Sequence, residues 1–249
     1  MNKNPISEQP VFLVVGSDTA VGKTVFSGLF GLHLKRRGVH VRLIKPFCSG
    51  GRGDIKFLAQ CGALSEAVVN FWYDDEPVSP AAWELSTGDQ IDFDDIVEKL
   101  RQEFKRNDRD IFIVEGVGGL LAPITLKHTI ASLAQELSSK LIIIAQNRVG
   151  VINHVLLTLE AALSRGLSVA SVILMEQEKP DSSAVDNAEL IRIHMSNTPA
   201  FKGIFEFPWL GKGADNPDLI VNNIEKADSV LKEVFDVVIK PYFFATSNN

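Results

Sequence analysis

The sequence predicts an α/β fold, a doubly wound and mostly parallel sheet with helices on both faces, three layers in all. Two observations predict it. Short, nearly continuous apolar runs recur at residues 11–15, 39–44, 111–114, 141–145 and 169–174. Such runs suit strands buried on both faces, whereas strands with one wet face alternate polar and apolar residues. Amphipathic stretches of helical length fall between and after them, at residues 23–37, 93–105, 131–137, 152–165 and 184–195, with a last one at 217–234. Strands alternating with helices build parallel sheets, because a parallel neighbour needs a crossover.

Along the chain, the first run, 11–15, ends in Gly16 and opens the helix at 23–37 through a glycine-bearing turn. The second run, 39–44, leads straight into Lys45-Pro46, and Asp54 starts a further helical stretch. Residues 74–90, rich in Pro, Asp, Glu and Ser, read as a surface excursion, and 211–217 as a polar, glycine-rich loop. Neither has the look of a linker, so the expectation is a single domain over 1–249, with 1–10 and 245–249 disordered.

Composition bounds the function. The chain has 249 residues, 45% hydrophobic and 22% charged, enough for a sizeable core. A net charge of −6 argues against a nucleic-acid partner, which calls for a basic face. It does not argue against phosphate binding, which backbone N–H groups and one or two lysines can supply. Cys48 and Cys61 are too few for a disulfide framework and too far apart in sequence for a zinc pair. No apolar run reaches membrane-spanning length and no signal-like segment opens the chain, so a cytoplasmic protein without a membrane partner is expected.

The strongest local signal is Gly16-Ser17-Asp18-Thr19-Ala20-Val21-Gly22-Lys23-Thr24, a phosphate-binding loop set between a strand and a helix. Its glycines let several backbone N–H groups converge on one phosphate cluster, and the helix start adds the positive end of its dipole. Lys23 can reach the β and γ phosphates, and the Thr24 hydroxyl can ligate Mg²⁺. Five residues separate Gly16 from Gly22, where the common pattern has four. The fold expected is therefore that of the P-loop nucleoside triphosphatases.

Lys45 ends the second strand at the carboxyl side of the sheet, where ligands sit in open α/β folds. Alone it would read as a surface lysine; the Ser49-Gly50-Gly51 loop beside it favours a role with Lys23 in neutralising an anion. Glu115 ends the third run ahead of Gly116, Gly118 and Gly119, the place of a metal-directing acid in P-loop enzymes. Asp54 is less specific, since a helix cap would also explain it.

These residues resemble the dethiobiotin synthase family. Gly-x-Asp-Thr-x-Val-Gly-Lys-Thr is similar to its phosphate loop, extra residue included, and Lys-Pro-x-x-Ser-Gly at 45–50 to its substrate loop. Pro-Val-Ser-Pro at 77–80, Val-Glu-Gly-x-Gly-Gly at 114–119, Gly-Val-Ile-Asn-His at 150–154 and Phe-Pro-Trp-Leu at 207–210 follow in family order. The resemblance implies ATP- and Mg²⁺-dependent carboxylation and ring closure of 7,8-diaminopelargonic acid with CO₂, by a homodimer. It implies that Gly16, Asp18, Thr19, Ala20, Val21, Gly22, Lys23, Thr24 and Val25 meet the ATP phosphates, with Met175, Pro208, Trp209 and Leu210 near the base. Catalysis would fall to Lys23, Lys45, Thr19 and Ser49, metal binding to Thr24, Asp54 and Glu115. Substrate contacts would come from Ser49 and Gly118, and from Gly150, Val151, Ile152 and Asn153 at the distal carboxylate. Alanine at Lys23 or Lys45 should then stop turnover and leave the fold intact.

The chain departs from the family pattern in three places. Ala20 stands where Glu is common, the loop from Ser49 to Asp54 is short, and Met175 stands where an Asn can read adenine. Met has no paired donor and acceptor. That leaves either a relaxed choice of nucleotide or a base read by backbone groups near 207–210. The departures also leave room for a paralogue with an altered substrate. A regulatory ATPase of the ParA or MinD kind is the other alternative, though the early signature lysine of that group is absent at Ser17 and Ala20. His154 and His128 read as structural or surface histidines, and Trp72, Trp83 and Trp209 as packing residues by default.

Overall fold

The computed structural model describes residues 10–196, 198 and 201–244. The termini expected to be disordered fall outside these residues, apart from Pro10, whose carbonyl accepts the Phe112 N–H at 3.1 Å. A six-stranded sheet runs in the order β2-β5-β1-β6-β7-β8, with every pairing parallel. Its strands are β1 (Val11–Gly16), β2 (Val41–Ile44), β5 (Ile111–Gly119), β6 (Lys140–Gln146), β7 (Ser168–Met175) and β8 (Gly203–Phe207). A separate two-stranded parallel sheet pairs β3 (Phe47–Ser49) with β4 (Trp72–Asp74).

Burial on both faces explains the continuous apolar runs. Along β1, Phe12 and Val14 enter one core, with Phe26 and Phe30 of α1 (Lys23–Arg36). Leu13 and Val15 enter the other, with Val155 and Leu159 of α7 (Val151–Leu163). The first core also takes α2 (Gly53–Gly62) and α9 (Ile220–Val234); the second takes α5 (Phe93–Arg106), α6 (Ile130–Glu136) and α8 (Ala184–Met195). The three-layer arrangement follows. The chain leaves β1 toward β2 and β5 on one side, then crosses to β6 on the other. That reversal beside β1 is where open α/β sheets leave a crevice beyond the strand ends.

Four features differ from the sequence reading or were absent from it. β5 does not end at Glu115: it continues to Gly119, pairing Val14 with Glu115 and, past a register shift, Gly16 with Gly119. Side-chain-free Gly119 lets β5 stay against the start of the phosphate loop. The excursion at 74–90 contains α4 (Pro80–Thr87), started by Pro80 and capped by the Ser79 hydroxyl, which accepts the Ala82 N–H at 3.2 Å. Its buried Glu84 accepts the Ile91 N–H at 2.7 Å and the Leu126 N–H at 2.6 Å, so the excursion is tied down. β8 follows no apolar run long enough to read as a strand, because it is a short edge strand with Glu206 exposed. The last helical stretch begins as a 3-10 turn, Pro217–Leu219, before α9.

Candidate active site

The phosphate loop joins β1 to α1 at the crevice. Gly22, the residue before α1, has φ 99°, and no side chain caps the helix. α4 and α5 are capped by Ser79 and Asp92. The first N–H groups of α1 are thus left for a ligand, at the positive end of its dipole. Gly16 is required by close approach: a Cβ there would lie 2.2 Å from the Asp18 carbonyl oxygen and 3.0 Å from Lys23 Nζ. Lys23 arches back over the loop, Nζ donating to the Asp18 carbonyl at 3.3 Å. Its burial, partly offset by Glu115, holds the ammonium below the ordinary lysine range. Ala20 adopts φ 52°, left-handed backbone in a residue with a Cβ.

Behind the loop, four side chains meet. Lys45 Nζ donates to Asp54 Oδ2 and to Glu115 Oε1, both at 2.6 Å. The Thr24 hydroxyl donates to the same Glu115 oxygen at 2.7 Å. Glu115 is 1% exposed, and its other oxygen, Oε2, is buried with no partner. Burial alone would lower the Lys45 pKa; the Glu115 and Asp54 carboxylates more than offset it and hold the ammonium charged, above its ordinary range. Among the described residues no group of three or more His, Cys, Asp or Glu side chains forms a metal cluster. One hydroxyl and two carboxylates are an all-oxygen set, and the unsatisfied Glu115 Oε2 gives it a vacant donor. That suits Mg²⁺, which keeps waters and takes few protein oxygens.

One cavity of about 430 Å³ gathers half of the predicted residues. Thr19 to Val25 form one wall, and Lys45, Asp54, Glu115 and Gly118 the other. Ser49 is not on its lining; its hydroxyl donates to the Val78 carbonyl at 2.7 Å and ties the loop at 45–50 to the excursion. Gly150, Val151, Ile152 and Asn153 also lie off the cavity, at the start of α7, where Gly150 has φ 92° and no side chain caps the helix. Asp215, from the loop before α9, lines the cavity and had no signal in the sequence beyond a polar, glycine-rich loop. A smaller pocket of about 110 Å³ shares Ala20, Val21, Gly22 and Val25 with it. Met175, Pro208, Trp209 and Leu210 also line this pocket, with Gln146, Glu176 and Gln177 among the polar residues there. Trp209 is 42% exposed there, so its expected packing role gives way to a pocket wall, unlike Trp72 and Trp83, which meet edge-on at 5.7 Å.

A family model described as an AAA domain matches residues 11–217. The ATP-dependent dethiobiotin synthetase BioD of Bacillus subtilis (strain 168) is 31% identical over 189 residues, 72% of this chain and 80% of its own length. That of Corynebacterium diphtheriae is 32% identical over 190 residues, 74% of this chain and 83% of its own. The chain belongs to the dethiobiotin synthetase family. It is therefore an enzyme, an ATP-dependent ligase. A solved pNOB8 ParA bound to nonspecific DNA matches with a TM-score of 0.55 at 12% identity, covering 92% of this chain and 98% of that one. That likeness is one of fold alone. No helix of the described residues is long and apolar enough to cross a membrane.

In this synthetase-family chain, the loops beyond β6 and β7 are joined by a buried polar network that the sequence did not announce. Asn147 is fully buried. Its Nδ2 donates to Glu176 Oε1 at 2.6 Å and to the Ala184 carbonyl at 3.1 Å, and its Oδ1 accepts from Asn187 Nδ2 at 2.8 Å. Asp181 accepts the Val149 N–H at 2.8 Å and also holds Ser183; these bonds, the Ser183 hydroxyl first, keep its carboxyl below the usual range. The network locks the start of α7 to the end of β7. Asn147→Leu leaves Asn187 and Glu176 short of partners and should cost about 2–3 kcal/mol in urea unfolding. A loss under about 0.5 kcal/mol would show the network to be replaceable by water.

The thiols are inert by comparison. Cys48 and Cys61 are both free and buried, and burial pushes them up to about 11 and about 12.

Proposed function

We propose that this chain carboxylates 7,8-diaminopelargonic acid and closes the ureido ring of dethiobiotin at the expense of ATP. The observation that carries the reading is the meeting of Lys23, Lys45, Thr24, Asp54 and Glu115 in one cavity next to a base-sized pocket. One substrate amine adds to CO₂ and loses a proton, giving a carbamate. A carbamate oxygen attacks the γ-phosphorus and ADP leaves, giving a carbamic-phosphoric anhydride. The second amine attacks the carbamoyl carbon, inorganic phosphate leaves, and the ring is closed. None of these steps needs a nucleophile from the protein, so positioning and charge carry the rate.

Lys23 would hold the β and γ oxygens as charge moves between them, and Lys45 would face the carbamate. Thr19 and Gly118, on the cavity wall, would flank the substrate, while Ser49 would hold the loop that carries it. Mg²⁺, held by Thr24, Asp54 and Glu115, would supply charge neutralisation on the phosphates. The uncapped start of α7, with Asn153, offers N–H donors to the distal carboxylate. Because those groups lie off the cavity, a second copy of the chain presenting them is the arrangement favoured, and a homodimer is part of the proposal.

The test is phosphate release with Mg²⁺, bicarbonate and ATP, with and without the diamine. Release that depends on the diamine, with dethiobiotin found by mass spectrometry, is expected. Equal release in both arms would replace this reading with a regulatory ATPase, and none in either with an altered substrate.

A further inference from the structure

The family resemblance places a base-reading asparagine where this chain has Met175, yet an amide still lines the same pocket. It belongs to Gln177, two residues further on. Its Nε2 donates to the Met175 carbonyl oxygen at 2.9 Å, the same oxygen that accepts the Asn147 N–H at 2.8 Å. A carbonyl can only accept, so it dictates which end of the amide faces it. Nε2 is held on the backbone, and Oε1 is left as the acceptor that the amide can offer a ligand. Turning the amide over would set two carbonyl oxygens against each other, which bars the flip that would make the residue indifferent to its partner.

The rest of the pocket is consistent with a nucleobase. Met175 packs toward the phosphate loop, its Cε 2.9 Å from where a Gly22 Cβ would stand, and forms an apolar wall. Gln146 is engaged on the phosphate side, its Nε2 donating to the Ala20 carbonyl at 3.2 Å. Glu176, also on the lining, gives its Oε1 to Asn147. No backbone hydrogen bond among the described residues uses the N–H groups of Trp209, Leu210 or Gly211.

We propose that Gln177 selects the base. Its Oε1 accepts from an exocyclic amine, and an N–H of residues 209–211, in the same pocket, serves the accepting ring nitrogen next to that amine. Adenine and cytosine carry this pair. Hypoxanthine, uracil and the six-position edge of guanine carry the reverse, a carbonyl beside an N–H. The site therefore takes ATP and CTP in preference to ITP, GTP and UTP. The inference rests on the proposed function only in taking this pocket as the base end of a nucleoside-triphosphate site.

ATP and ITP differ at the base edge that Gln177 would read, so they are the probes. Calorimetric titrations with Mg²⁺ and without diamine or bicarbonate compare ATP, ITP and inorganic tripolyphosphate. The unaltered chain should bind ATP about tenfold or more tighter than ITP, the discrimination one mismatched buried pair provides. Gln177→Leu should bring the two within about twofold and leave tripolyphosphate unchanged. Gln146→Leu should weaken ATP and ITP alike and keep their ratio. Equal binding of ATP and ITP by the unaltered chain would overturn the assignment. So would a Gln177→Leu variant that loses both equally, the signature of a merely structural residue, or a ratio erased by Gln146→Leu instead. If no nucleotide binds at all, this inference and the proposed function fall together. If ATP is preferred as expected but no diamine-dependent phosphate release is found, the proposed function falls alone.

Discussion

Lys23→Ala should lower diamine-dependent phosphate release by about a thousandfold while changing unfolding free energy by under about 1 kcal/mol. The two halves of this expectation have different causes. Among the described residues Lys23 Nζ makes one long hydrogen bond, 3.3 Å to the Asp18 carbonyl, and burial disfavours its charge. Removing it relieves a desolvated ammonium and breaks little, so the fold should hold. Its value would lie in the reacting complex, where a preorganised cation in a partly dry cavity meets charge moving from the γ-phosphate to the leaving ADP. Steady-state phosphate release and urea unfolding on the same preparation read both halves. A fall of less than about tenfold would remove Lys23 from the catalytic role.

Lys45→Ala should behave differently, losing turnover and also about 3 kcal/mol of stability. Alanine there strips the ammonium from Glu115, which is 1% exposed and already has one oxygen without a partner. The carboxylate would stay buried with only the Thr24 hydroxyl at 2.7 Å on its other oxygen. This revises the expectation that alanine at either lysine leaves the fold intact. The pair can be separated by a cycle: with Glu115→Gln in the background, the further cost of Lys45→Ala should shrink by about 2 kcal/mol, because no buried charge is stranded. Chemical unfolding of the four proteins measures it. Equal costs in the two backgrounds would mean that Lys45 and Glu115 are not energetically paired.

The contrast between the two lysines shows what each level of structure decided. The phosphate loop was legible in the sequence because its function is carried by backbone: a glycine that must avoid the Asp18 carbonyl, a glycine that must take φ 99°, and a lysine at a helix start are local requirements. The central sheet was legible for a similar reason, since burial on both faces leaves continuous apolar runs such as residues 141–145. Lys45 and Glu115 could be placed at strand ends by the same reading, and so at one edge of the sheet.

Their bond could not be read, because it joins residues 70 positions apart and depends on how β2 and β5 are registered in the sheet. The edge strand β8, with too few apolar residues to stand out, was invisible for want of a pattern. The polar contacts of Asn147 and Gln177 were invisible because amides carry no periodicity: whether one is buried, and which end faces a carbonyl, depends on what other parts of the chain bring to it. Sequence thus determined the phosphate loop and the sheet that presents it. Only the tertiary structure decided which charges are paired behind that loop, which amides are buried beside it, and that Ser49 is spent on Val78, because each of those depends on segments that the sequence holds far apart.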